Sequence, residues 1–148
     1  IARLENGVHF DRAVKLIQTA WPICRMTKRL RQCMYEAIQD LPSNFKYDFN
    51  NSFIFPKKFI PEVQIPMDNS SEGREICEVP PLELELALLQ TLGDTGLIDR
   101  EELCRSICVL YGKRATRKNC DVLNGIIDAA FRHKRLKMVD GRVGKNVL

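Results

Sequence analysis

The sequence predicts a mainly α chain with small β-hairpins, an α+β class, built as two like domains in tandem. Three observations predict it. The order helix, short turn, basic helix, hairpin occurs twice, over 7–55 and again over 96–148. Apolar residues recur at helical spacing ahead of each hairpin. A cluster of cations falls at the same point of each copy, Arg25-Met-Thr-Lys-Arg-Leu-Arg31 in the first and Lys113-Arg-Ala-Thr-Arg-Lys118 in the second.

In the first copy, Asp11 reads as the helix start, its carboxylate capping free amides. Ala13, Val14, Ile17, Ala20 and Trp21 form one stripe, which places Trp21 in the core, and the proline after it ends the helix. A second helix is expected from about Arg25 to Leu41, with Met26, Leu30, Cys33, Met34, Ala37, Ile38 and Leu41 on its buried side. Its other side carries Arg25, Lys28, Arg29, Gln32 and Tyr35, and no acidic residue occurs between Arg12 and Glu36. Aromatic and β-branched residues from Phe45 to Phe55 flank Asn50-Asn51, where asparagine accepts the positive φ of a tight hairpin.

Five prolines from Pro56 to Pro81 mark an extended linker. Pro81 then opens a leucine-dense helix that must pack inward. Its counterpart in the first copy would precede Gly7, and the chain opens without methionine, so the expectation is a piece of a longer protein with that helix mostly missing. Asp99-Arg-Glu-Glu102 is a helix start related to the capping box. Leu103, Ile107, Leu110 and Tyr111 are its buried stripe, and Cys104 and Cys108 pack as small core residues. Thr116 is the expected cap of the next helix, whose core side is Cys120, Leu123, Ile126, Ile127, Ala130 and Phe131. Gly125 within it implies a close packing contact, since glycine there is about 1 kcal/mol worse than alanine. Asp140-Gly141 predicts a type I′ hairpin.

Two helices followed by a hairpin is the winged-helix elaboration of helix-turn-helix. The expected organisation is a winged-helix-like domain over 1–56, a linker over 57–80, and a second winged-helix-like domain over 81–148.

Composition bounds the function. The chain has 148 residues, 45% hydrophobic and 28% charged, which fits a soluble globular protein. A net charge of +4 permits a polyanionic partner without requiring one. No apolar run is long enough to span a membrane and no signal peptide is visible. The six cysteines form no Cys-x-x-Cys pair and the two histidines are far apart, so the expectation is reduced thiols in a cytoplasmic protein with no metal and no cofactor.

The run Gly96-Leu-Ile-Asp-Arg-Glu-Glu-Leu103, then Tyr111-Gly-Lys-Arg-Ala-Thr-Arg117, a helix and a terminal hairpin resembles a domain of undetermined function near the C-termini of large bacterial superfamily-1 helicase-like proteins. The first copy matches through Val8-His-Phe-Asp11, Ala20-Trp21, Arg25 and Phe53-Ile-Phe-Pro56. The second copy lacks the aromatic ending of the pattern at Val143-Gly144. The resemblance implies a helper beside a nucleic-acid motor, and the motor's phosphate loop is absent from this sequence.

The sharpest functional expectation is binding to duplex or forked DNA. Arg25, Lys28, Arg29, Lys113, Arg114, Arg117 and Lys118 would meet phosphates. Thr27, Thr116 and Gln32 lie where they would reach base edges or backbone, and Lys46, Asn50, Arg142 and Lys145 would let each hairpin touch the strand. A basic helix surface that merely faces water is the bland alternative. A protein-docking module is the other, favoured by the acidic residues from Glu72 to Glu102. Catalysis has little support, because Asp11, Asp99, Glu101 and Glu102 read as helix-start residues and neither His9 nor His133 has an evident nucleophile partner.

Overall fold

The structure, a computed structural model, describes residues 1–2, 5–21, 25–65, 73–93 and 96–146. It is a mixed α+β fold that divides into two compact units, Ile1–Ile60 and Pro61–Leu148.

The first unit runs β1 (Val8–His9), α1 (Phe10–Ala20), α2 (Lys28–Ala37), β2 (Phe45–Asp48) and β3 (Phe53–Pro56). Its three strands are ordered β1-β3-β2, with Val8 opposite Ile54 and Tyr47 also opposite Ile54 on the other side. α1 begins at Phe10, and its cap lies two residues earlier than Asp11, the cap the sequence implies. His9 is the cap, its Nδ1 accepting the Asp11 amide at 3.2 Å. α2 is shorter than expected because Thr27 caps it, its hydroxyl accepting the Leu30 amide at 3.2 Å, and because the chain turns after Ala37. Phe10, Val14 and Ile38 are buried together, with Met26, Met34, Leu41, Tyr47 and Ile54 packed against them. No residue of α2 itself is fully buried, and Cys33 and Ala37, assigned to its inner side, are exposed. That core is thin.

Trp21 corrects another expectation: it is 65% exposed. α1 stops at Ala20 and Trp21 takes an extended backbone, which carries its side chain off the helical stripe. The hairpin differs too. Its turn spans Phe49 to Ser52, the positive φ falls on Ser52, and Asp48 ties the turn by accepting the Asn50 and Asn51 amides.

The second unit runs through a 3₁₀ turn (Ile76–Glu78), α3 (Pro81–Leu92), β4 (Leu97–Ile98), α4 (Arg100–Leu110), α5 (Arg117–Arg132), β5 (Leu136–Val139) and β6 (Arg142–Lys145). Its strands are ordered β4-β6-β5, the same first-third-second pattern as in the first unit. Leu84, Leu88, Leu103, Ile107, Leu123, Ile127 and Val143 form a dry core between the three helices and the sheet. Cys104, Cys108 and Tyr111 are buried in it. Asp140 and Gly141 both have positive φ, as the two-residue turn between right-twisted strands demands.

Residues 73–80 are not a linker. Ile76 and Val79 are buried in the second core, and Arg74 is held bidentate by Glu83 at 2.7 and 2.8 Å. Glu83 also accepts from the Tyr111 hydroxyl at 3.0 Å and the Gln64 amide at 3.0 Å, so this buried carboxylate is fully partnered. Gly125 is a further correction: a Cβ there would meet nothing within 4 Å, because the glycine faces open space. Asp99 does precede α4, but its side chain makes no cap bond and lies 3.7 Å from Arg142 instead. Among the described residues no helix is long and apolar enough to cross a membrane.

Candidate functional site

Each unit presents the same short pattern at the start of the helix that precedes its hairpin: Arg25-Met-Thr-Lys-Arg29 before and into α2, Arg114-Ala-Thr-Arg-Lys118 before and into α5. The two threonines have nearly the same extended backbone, φ −83° and −76°, and each caps its helix by accepting an amide three residues on. In the second unit Asn119 also donates to the Arg114 carbonyl at 2.9 Å, which fixes the basic turn.

Neither helix has an acidic residue in its first turn. The amino end of a helix carries partial positive charge, so acids are favoured there and each cation is disfavoured by about 0.3–1 kcal/mol. Lys28, Arg29, Arg117 and Lys118 occupy that turn nonetheless, flanked by Arg25 and Arg114. All six side chains are exposed, and none has an ion pair among the described residues. With the free helix amides beside them, they make two patches suited to an anion's oxygens.

The other expected contacts are placed differently. Lys113 is removed from the set: its ammonium is 2.8 Å from Glu75 Oε1 and 3.3 Å from the Gly73 carbonyl, partly buried. Arg142 lies 3.7 Å from Asp99, and Lys145 also has a partner. Gln32 donates to Glu36 at 3.0 Å, so its amide is engaged along its own helix. The Thr27 and Thr116 hydroxyl oxygens each accept one helix amide as caps. Lys46 sits 5.8 Å above the Phe55 ring with its charge exposed, and Asn50 is exposed in the hairpin turn.

A hollow lies beside each patch, and five of the lining positions correspond between the two. In the first unit it holds about 430 Å³ and includes Phe10, Asp11, Lys28, Arg31 and Tyr35. In the second it holds about 800 Å³ and includes Arg100, Glu101, Arg117, Cys120 and Asn124, which occupy the same helix positions. Arg31 pairs with Asp11 and stacks 5.1 Å from the Phe10 ring. Arg100 is held by Asn124 at 2.6 Å and Asp128 at 2.7 Å. Burial, chiefly, pushes the Cys104 and Cys108 thiols up to about 11, so they are inert at neutral pH.

An aromatic series in the first unit was missed at the sequence level. Phe10, Tyr35, Tyr47 and Phe49 meet edge to face in succession, at 5.9, 6.2 and 4.8 Å between centroids. The alternation Phe45, Tyr47, Phe49 was the available signal, since residues two apart share one face of a strand. No family model, curated protein or solved structure matches this chain.

Proposed function

We propose that the chain is a tandem pair of winged-helix units that grips DNA, duplex or forked, through the cations at the starts of α2 and α5. The strand-helix-helix-hairpin order with first-third-second sheet pairing in both units supports the winged-helix reading. In that fold the second helix of the helix-turn-helix pair, here α2 or α5, is the one that enters a groove, and the hairpin is the wing.

One observation carries the proposal: six exposed cations with no ion pair among the described residues stand at corresponding helix starts, where helix electrostatics alone would disfavour them. A merely solvated surface would have admitted acids there. The docking alternative drew on the acids between Glu72 and Glu102, but Glu78, Glu83 and Glu85 are buried and Glu75 is neutralised by Lys113. Glu101 and Glu102 remain exposed at the start of α4, so the acidic surface is reduced and not removed. Following the helicase-like resemblance, the chain serves as a non-catalytic accessory region of a larger DNA-processing protein.

The test is a salt titration of binding to duplex, forked and single-stranded DNA. Counterion release predicts a steep loss of affinity as salt rises. No binding to any of the three at low salt would leave docking as the better account.

A further inference from the structure

We propose that the first unit carries a stacking platform for unpaired bases, built by Tyr35, Tyr47 and Phe49, so that the chain prefers DNA with a single-stranded segment to blunt duplex. The inference rests on the nucleic-acid reading above and names the part of the substrate that this unit recognises.

Exposure is the first observation. Phe49 is 66% exposed and Tyr35 37%, in a unit whose apolar core is small enough to use any ring offered to it. Phe49 occupies the first position of a hairpin turn, where glycine, asparagine or aspartate serve the backbone and no aromatic is needed. The ring is nevertheless held in place: Tyr47 meets it at 84° and Tyr35 meets Tyr47 at 89°, each edge braced on the next face. Rings fixed in this way lose little rotamer freedom when a ligand stacks on them, so the platform is organised in advance.

The surroundings fit a nucleotide strand. Tyr47 lines two hollows, one of about 430 Å³ with Lys28 and one of about 400 Å³ with Phe49 and Lys46. Each hollow thus pairs an aromatic wall with an exposed cation, the combination by which single strands are held: bases on rings, phosphates on ammonium groups. The unlike half of the molecule supplies a built-in comparison. In the second unit Asn124 stands where Tyr35 does, Met138 where Tyr47 does, and the turn is the two-residue Asp140-Gly141. Both units keep the cations, and only the first has the rings. The cations alone serve any backbone; the rings serve bases that have left the helix.

The experiment measures binding of the full chain, by fluorescence anisotropy at low salt, to a blunt duplex, the same duplex with a single-stranded tail, and a single-stranded oligonucleotide. Phe49→Ala is expected to weaken binding to the tailed and single-stranded probes by roughly 5- to 150-fold, the effect of losing one stacked base, and to leave blunt-duplex binding unchanged. Phe49→Trp in a Trp21→Phe background should restore affinity, and its emission should be quenched by oligo-dT. Circular dichroism of each variant reports that the fold is kept. Equal loss on all three probes, or no loss on any, would overturn the platform while the DNA reading stands. If the unsubstituted chain binds none of the probes, the DNA reading falls first and the platform with it.

Discussion

The salt dependence of DNA binding can be worked from the structure before it is measured. Six cations, Arg25, Lys28, Arg29, Arg114, Arg117 and Lys118, are exposed and have no ion pair among the described residues. If each neutralises one phosphate, the slope of log affinity against log salt on B-DNA is about −5, and raising salt from 50 to 200 mM weakens binding roughly a thousandfold. The triple variant R25A/K28A/R29A should flatten the slope by about 3. The fold should survive, because alanine is the best helix former and removing Lys28 and Arg29 relieves repulsion at the amino end of α2. Lys113→Ala is the internal control: its ammonium is already spent on Glu75 and the Gly73 carbonyl, so the slope should not move. The assay is anisotropy with a labelled duplex over a salt series, with circular dichroism to verify folding. A parent slope shallower than about −2, or a triple variant with the parent's slope, would refute the assignment of these side chains to phosphates.

Three further outcomes concern stability. Gly125→Ala should stabilise the second unit by about 1 kcal/mol, read as a thermal midpoint roughly 4–8 °C higher, because an added methyl at that exposed helix position meets nothing within 4 Å. Arg74→Ala should destabilise the same unit by about 3–5 kcal/mol in urea unfolding, since it strands the buried Glu83 carboxylate. Alkaline pH should weaken the second unit: Cys104 and Cys108 stay protonated in the fold to about 11, whereas in the unfolded chain they ionise near 9.0. Between those values the unfolded chain binds fewer protons, so stability is full below pH 9 and falls as pH rises toward 11. Burial also pushes the Tyr111 phenol up, which adds in the same direction. Urea midpoints against pH check this, and Cys104→Ala with Cys108→Ala should reduce the decline.

Local chemistry was legible where it depends on near neighbours. Thr116 as a cap, Asp140-Gly141 as a two-residue turn, and Tyr111, Cys104 and Cys108 as buried positions follow from spacing within one element. Trp21 shows where that logic ends: helical spacing assigned it inward, but the helix stops one residue before it. Gly125 shows the same from the other side, since a glycine in a helix signals close packing only if something is there to pack.

By itself the sequence determined the twofold pattern, the helix and hairpin order, and two basic helix starts, because periodicity, capping and turn chemistry act over a few residues. Only the tertiary structure decided which charges remain available. Lys113 and Glu75 are 38 positions apart, Tyr111 and Glu83 28, and no local rule brings such pairs together. The same holds for the rings of the first unit. Tyr35 on a helix and Tyr47 on a strand become one surface only when the chain closes α2 against the hairpin, since contact between distant segments is set by the packing of the whole unit.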